Sequence, residues 1–273
     1  MLRFEKYVCP ATPREAYDLL QENRLATVVG GMMWLRLSDR VAPLGIDLSR
    51  CGLDRIEDTG DAWRIGAMVT LGQLERHEGF AASTCGVFAE AVRDIVGTQF
   101  RNLATVGGSV YARMGFSDVV TALLALDAEV ELEGAGVMPI IPFVERGARR
   151  DVLTHAIVRK HRYQAAFASV RNAATDFSAL NAAAACWQGS WHVTVGARPK
   201  KAALVTGGER IPLRRDFSPA ELDAVCELVD GLDYGSDLRA SAEWRRQVAP
   251  ELVRRAVAAA SAKPRSAKEV AAC

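Results

Sequence analysis

Near the end of the first 110 residues, Ala104-Thr105-Val106-Gly107-Gly108-Ser109 sets two glycines and a small hydroxyl behind a short apolar lead. A related stretch, Thr27-Val28-Val29-Gly30-Gly31-Met32, lies upstream. A glycine pair marks backbone that turns sharply or approaches something closely. Successive N–H groups in such a turn form a concave nest for an anion such as phosphate. A bare Gly-Gly is by itself only a turn. The signal here is two such loops followed by an acid, Asp118. That aspartate has two compatible readings: it caps the apolar helix behind it, or it binds a hydroxyl of a ligand.

Other chemistries lack their residues. Gly134-Ala135-Gly136 begins like a dinucleotide fingerprint, but Pro139 stands where the third glycine belongs. Neither glycine pair is followed by the Lys-Ser/Thr of a P-loop, and no metalloprotease helix or nucleophile elbow occurs. His77, His155, His161 and His192 are isolated and are read as structural or surface residues. The six cysteines are scattered without a C-x-x-C, which argues against a zinc site or an iron–sulfur ligand set. They read as small apolar residues in a reducing cytoplasm. What remains suits a pyrophosphate with a ribityl or ribose hydroxyl nearby, that is, a phosphate-containing cofactor.

The elements that position these residues are legible in outline. Thr12-Pro13-Arg14-Glu15 opens a helix with a cap, a first-turn proline and a capping-box acid, and that helix ends near Asn23-Arg24. Residues 26–29 form a short buried strand running into Gly30-Gly31, which places backbone donors at a strand end, where α/β proteins commonly meet ligands. Residues 32–37 form a helical turn, Ile46-Asp47-Leu48 a strand, and residues 63–68 a half-buried strand. Thr70-Leu71-Gly72-Gln73 is a second capping box, for a helix through about His77, and residues 88–96 form another helix. Residues 119–126 are an apolar helix, and residues 128–132 and 152–158 are strands. Beyond residue 160, residues 163–170 read as a strand and residues 171–177 as a polar turn. Residues 178–187 are alanine-rich and ambiguous between strand and helix. Residues 191–195 alternate, so a hairpin around Gly189 follows. Residues 222–229 form a helix. Ser241 starts another, which Pro250 should interrupt or kink. Residues 258–273 are expected to fray.

The bulk numbers exclude several classes. With 273 residues, 49% of them hydrophobic and 25% charged, the chain can bury a sizeable core in two ordinary domains. A net charge of +1 gives no footprint for nucleic acid or an acidic membrane. The longest apolar run, residues 119–126, is too short to span a bilayer. The first residues lack an uninterrupted apolar stretch, so no signal peptide is expected.

Several motifs in order resemble the FAD-binding (medium) subunit of the molybdenum hydroxylases, the xanthine dehydrogenase and carbon monoxide dehydrogenase type. They are Val28-Val29-Gly30-Gly31, then Arg101-Asn102-Leu103-Ala104-Thr105-Val106-Gly107-Gly108-Ser109, then Asp118 followed by Leu123-Leu124-Ala125-Leu126-Asp127-Ala128. Residues 171–177, Val195-Gly196-Ala197-Arg198-Pro199-Lys200 and Asp237-Leu238-Arg239-Ala240-Ser241-Ala242-Glu243-Trp244-Arg245-Arg246 resemble its C-terminal domain. The likeness covers roughly residues 3–258.

The resemblance implies an α+β chain with an FAD-binding fold of the vanillyl-alcohol-oxidase type. Two α/β subdomains (about residues 1–55 and 56–160) would bind FAD. A C-terminal α+β domain (161–260) would cover the flavin, with a flexible tail (261–273). It implies FAD contacts from Val28, Val29, Gly30, Gly31, Met32, Met33 and Trp34 on the pyrophosphate and adenosine side. Thr105, Gly107, Gly108 and Ser109 would form the second loop, and Asp118 would bind a cofactor hydroxyl. Ile95 and Leu153 would lie beside the ring system. Met32, Met33 and Ser109 depart from the family pattern, in which small polar residues and an asparagine are usual. With no histidine in either loop, the FAD is expected to be non-covalent. The resemblance further implies an oxidoreductase subunit that passes electrons from [2Fe-2S] clusters through FAD to NAD or another acceptor. The molybdenum cofactor and the clusters would reside in partner subunits. Two other readings stay open: a self-sufficient FAD-dependent oxidase or dehydrogenase, and a cofactor-less assembly module.

Overall fold

The computed structural model describes residues 2–146, 150–207 and 212–266. The chain divides into two compact units that interleave along the sequence. The first contains Met1–Gln73, Thr98–Ala112 and Ala128–Val158; the second contains Leu74–Gly97, Arg113–Asp127 and Arg159–Cys273.

The first unit begins with strand β1 (Arg3–Val8), helix α1 (Pro13–Glu22), β2 (Thr27–Val29) and β3 (Val41–Asp47). These strands form a parallel sheet in the order β1-β3-β2. The helix starts as its sequence dictates. Thr12 accepts from the Glu15 N–H at 3.2 Å, and the Glu15 carboxylate reaches back to the Ala11 N–H at 2.8 Å. Its C-terminal carbonyls find a partner far away in sequence: the Arg150 guanidinium donates to the carbonyls of Leu20, Asn23 and Arg24. Strand β3 starts earlier than its apolar core suggests, at Val41. Leu48 falls outside it, in a 3-10 turn capped by the Asp47 carboxylate.

The unit's second sheet has the order β4-β5-β8-β6-β7. Its strands are β4 (Ile56–Asp58), β5 (Ala62–Gly66), β6 (Ala128–Leu132), β7 (Gly136–Pro139) and β8 (Leu153–Arg159). Strand β5 is buried at every position except the half-buried Arg64. One face carries a ladder of charge: Arg64 pairs with Glu131 at 2.6 Å, and the same carboxylate oxygen meets His155 Nδ1 at 3.0 Å.

Short helices occupy the middle of the chain: α2 (Leu71–Arg76), α3 (Glu78–Ser83), α4 (Val87–Val92), α5 (Thr98–Arg101), α6 (Val106–Tyr111), α7 (Asp118–Ala125) and α8 (Ile140–Glu145). The Thr70 capping box is complete, because Thr70 and Gln73 exchange side chain-to-backbone bonds at 2.8 and 3.1 Å. The helix expected over residues 88–96 stops at Val92, and Val96 adopts a left-handed φ of 53° that no helix continues through.

The second unit is built on an antiparallel sheet of β9 (Gln164–Val170), β10 (Leu180–Trp187), β11 (Ser190–Gly196), β12 (Ala203–Thr206) and β13 (Leu213–Arg214). The ambiguous alanine-rich stretch is the central strand β10. It is buried on both faces, which removes the alternation that would have identified it. Ala182, Ala184 and Cys186 pack with Leu252, Val253, Ala256 and Val257, on the face covered by a long helix. Asn181 and Trp187 face the other way and bond to residues of α7, Thr121 Oγ1 and the Ala125 carbonyl. Small side chains let both helices approach.

Helices α9 (Pro219–Asp230) and α10 (Ala242–Ala262) follow. Ser218 and Glu221 form a full capping box at α9. Pro250 lies inside α10, and the helix runs on past it as one element, carried by its buried face. The expected fraying from residue 258 is corrected up to residue 266. The helix holds to Ala262, and Lys263 Nζ then bonds Glu90 Oε1 at 2.5 Å and the carbonyls of Cys85 and Ala165. Ser266 Oγ accepts from the Tyr163 N–H at 2.9 Å and donates to the His161 carbonyl. The last residues of the expected tail, 267–273, lie outside the described residues.

Candidate functional site

In the first unit, β2 delivers the chain into Gly30-Gly31 at the C-terminal end of a parallel strand. Neither glycine has a positive φ; the left-handed residue is Met32, at φ 56°. The glycines are therefore there for close approach. A Cβ on Gly31 would stand 1.7 Å from the Leu103 carbonyl oxygen and 2.7 Å from its carbon, both backbone atoms. A Cβ on Gly30 would stand 3.0 Å from Thr105 Oγ1. The loop is thus threaded against the segment that leads into the second glycine pair. The N–H groups of Gly31, Met32 and Met33 have no acceptor among the described residues. Three successive donors with a left-handed residue among them make an anion nest. Beyond them Trp34 is half exposed and precedes a 3-10 turn, Leu35–Leu37.

The second glycine pair is not a loop. It forms the first turn of α6, with Thr105 as its cap, and the corresponding expectation is corrected. Its donors are all taken: Val106 N donates to Val69 O, Gly107 N to Ala67 O, Gly108 N to Thr105 Oγ1 and Ser109 N to Thr105 O. Ser109 Oγ donates to the same Thr105 carbonyl at 3.1 Å. Gly107 is required by packing, because its Cβ would lie 2.7 Å from both the Cβ and the carbonyl oxygen of Ala67. Gly108 is exposed, and a Cβ there would meet only Thr105 Oγ1, at 3.3 Å. Leu153, also in this unit, is a buried first residue of β8 opposite Leu132.

Asp118 belongs to the second unit. It does not cap α7; Ser117 does, accepting from the Val120 N–H at 3.3 Å. That frees the Asp118 carboxylate, which is 2% exposed. Oδ2 accepts from Arg171 Nη2 at 2.8 Å, and Oδ1 accepts from Ser178 Oγ at 2.7 Å and Asn181 Nδ2 at 2.5 Å. Burial pushes this carboxyl up from the ordinary carboxylate range, against the pull of the Arg171 charge and the three hydrogen bonds. None of these partners was predicted; Arg171 alone lies in the polar turn after β9, while Ser178 follows that turn and Asn181 belongs to β10. Ile95 is buried, just past the end of α4.

The histidines divide by environment. His77 caps α3 through Nδ1. His161 and His192 both stack on Trp187, with centroids 4.8 and 4.2 Å away, and His161 Nε2 meets Asp127 at 2.7 Å. Burial pulls His192 down to about 4. Its folded value lies below its unfolded one, so the stabilisation is complete above the unfolded value and is lost as pH falls towards 4. Acidification from pH 7 to 4 should therefore cost roughly 2–3 kcal/mol through this group. Urea unfolding at both pH values checks it: His192→Phe should flatten the difference, and an unchanged difference would exclude His192 as its source.

A parallel sheet ending in a nest of open N–H donors defines a scaffold for a phosphate-bearing cofactor. Residues 2–162 match the family described as "FAD binding domain in molybdopterin dehydrogenase", and the chain belongs to that family. The nicotine 6-hydroxylase medium subunit of Paenarthrobacter nicotinovorans is 26% identical over 279 residues, spanning 94% of this chain and 98% of that protein. The nicotinate dehydrogenase FAD-subunit of Eubacterium barkeri is 30% identical over 135 residues, 47% of this chain and 45% of that one. A solved carbon monoxide dehydrogenase from Hydrogenophaga pseudoflava, lacking the Mo-pyranopterin moiety of its cofactor, matches the fold with a TM-score of 0.84. That match covers 96% of this chain and 98% of the other at 23% identity. No described helix is long and apolar enough to cross a membrane.

Proposed function

We propose that this chain is the FAD-carrying electron-transfer subunit of a molybdenum hydroxylase complex. The proposed path runs from [2Fe-2S] clusters in a partner subunit, through FAD, to NAD or another acceptor, with the molybdenum cofactor in a further partner. The observation that carries the reading is the nest: Gly31, Met32 and Met33 present N–H groups without acceptors, on a loop whose glycine admits no Cβ. Val28 and Val29 hold that loop on the sheet, and backbone donation makes the side chains of Met32 and Met33 immaterial to phosphate binding. Trp34 and Leu153 complete the proposed contacts of this unit. FAD, when bound, supplies the redox chemistry; the chain's own residues bind and orient it. Neither glycine segment holds a His or Cys, in keeping with non-covalent FAD. Five described cysteines are free, which suits a cytoplasmic protein.

The test is the visible spectrum of the chain purified alone and with its partner subunits. A flavin spectrum is expected, and its absence from the intact complex would sink the proposal. The second segment has its own test. Thr105 and Ser109 flank a glycine, Gly108, whose added Cβ meets no backbone. Gly108→Val should therefore keep the folded melting temperature within a few degrees, since Gly is itself disfavoured in helices, while FAD retention is lost. Full FAD content in folded Gly108→Val would remove the α6 segment, with Gly107 and Ser109, from the site.

A further inference from the structure

One end of the second unit's sheet carries a cavity that takes no part in the proposed flavin contacts. It lies where the β10–β11 turn meets the segment before β9 and the segment after α10. Its volume is about 180 Å³, and its walls include His161, Trp187, Cys186 and two arginines, Arg162 and Arg265. All of these residues belong to the second unit. The walls are held by bonds that need no ligand. Trp187 Nε1 donates to the Ala125 carbonyl at 3.2 Å, and His161, stacked on Trp187, meets the Asp127 carboxylate through Nε2. Ser266 Oγ ties the two flanking segments together, accepting from the Tyr163 N–H and donating to the His161 carbonyl. Gln164 Nε2 adds a bond to the Lys263 carbonyl at 2.9 Å.

The open polar groups at this cavity are donors. Neither Arg162 nor Arg265 has a hydrogen-bond or ion-pair partner among the described residues. The turn residues Gln188 and Gly189, left-handed at φ 48° and 82°, have backbone N–H groups without an acceptor among the described residues. No described residue of the lining is acidic. Burial pushes the Cys186 thiol up, so it stays neutral and adds no charge of its own. Cationic donors beside apolar walls suit an anion with an apolar body. A dry cavity of about 150 Å³ holds one benzene ring, so this one has room for a ring and a small charged group. We propose that the cavity binds a small aromatic carboxylate, with Arg162 and Arg265 meeting the carboxylate and Trp187, His161 and Cys186 enclosing the ring.

The test is calorimetric titration of benzoate into the full chain. Binding is expected at about millimolar concentration or tighter, as befits a ligand of this size. Acetate has the charge without the ring, and benzyl alcohol the ring without the charge; each should bind about tenfold more weakly or worse. Added salt should weaken benzoate and leave benzyl alcohol unchanged. The double variant Arg162→Gln/Arg265→Gln should lose about tenfold or more in benzoate affinity, as charge-assisted bonds are removed. Trp187→Leu should lose about three- to tenfold. Both arginines are exposed, so the double variant carries the test if Trp187→Leu does not fold. Benzoate that fails to bind the wild-type chain, that binds either folded variant with wild-type affinity, or that binds no better than acetate or benzyl alcohol would overturn the proposal. The titration needs no flavin, so its outcome is separate from that of the proposed function.

Discussion

Gly31→Ala, with a single added carbon, is expected to strip the protein of FAD and to lower its melting temperature. The added Cβ would lie 1.7 Å from the Leu103 carbonyl oxygen and 3.3 Å from Ala104 Cα. Neither side can yield easily. The facing segment is tied down on both sides of the clash, because Leu103 N donates to Phe100 O at 3.1 Å before it and Leu71 N donates to Ala104 O at 2.8 Å after it. Overpacking of this kind costs about 1–3 kcal/mol, and more where backbone must move. The same movement displaces the N–H groups of Gly31, Met32 and Met33, so binding and stability fall together. Gly30→Ala is the control. Its Cβ meets only side-chain atoms, the Thr105 hydroxyl at 3.0 Å and Met68 Sδ at 3.5 Å, so at most the Thr105 cap on α6 gives way and no backbone must move, and a milder loss is expected. The flavin-to-protein absorbance ratio and thermal unfolding report both quantities. Gly31→Ala with wild-type melting and full flavin would show that the close approach is not a constraint.

Arg245→Met should cost about 3 kcal/mol or more of unfolding free energy. Arg245 is wholly buried in α10, and its guanidinium is bonded throughout. Nε donates to Ala179 O at 2.8 Å, Nη1 to the carbonyls of Gly235 and Ala240 at 2.7 Å, and Nη2 to Asp237 at 2.6 Å. It thereby pins the 235–240 loop to the start of β10. Methionine fills most of the volume but leaves the Ala179 and Gly235 carbonyls without a donor and the Ala240 carbonyl with only the Asp237 N–H, and unmade buried bonds cost more than made ones contribute. Asp237 is partly exposed and recovers by solvation, so the carbonyls dominate. Urea denaturation measures the loss. Arg245→Lys should recover only part of it, because one ammonium cannot span the fork. A loss below about 1 kcal/mol would mean that the loop reorganises without the arginine.

Much of the architecture was written in local signals. The caps at Thr12, Thr70 and Ser241, and strands such as β6 and β11, rest on contacts within a few residues, which a sequence displays directly. Other elements were hidden for identifiable reasons. Strand β10 is covered on both faces, so its alanines show no period. Ser117 rather than Asp118 caps α7, because the helix begins one residue earlier than a cap at the acid would set it, and the aspartate is turned to a buried guanidinium 53 residues away. Residues 263–266 look like a polar tail, yet their side chains bond to Glu90 and Tyr163, about 100 residues or more distant along the chain.

The two glycine segments divide in the same way. By itself the sequence determined that both needed bare backbone and that together they suit a phosphate-bearing cofactor. Their motifs were enough to place the chain beside the flavin subunits of molybdenum hydroxylases. Only the tertiary structure decided which segment keeps donors available. Ala67 and Val69, remote in sequence from Gly107, supply carbonyls that take the α6 N–H groups, whereas nothing among the described residues reaches those of Gly31, Met32 and Met33. A hydrogen-bond donor is a local property of the chain. Whether it is free for a ligand depends on what the fold brings up against it.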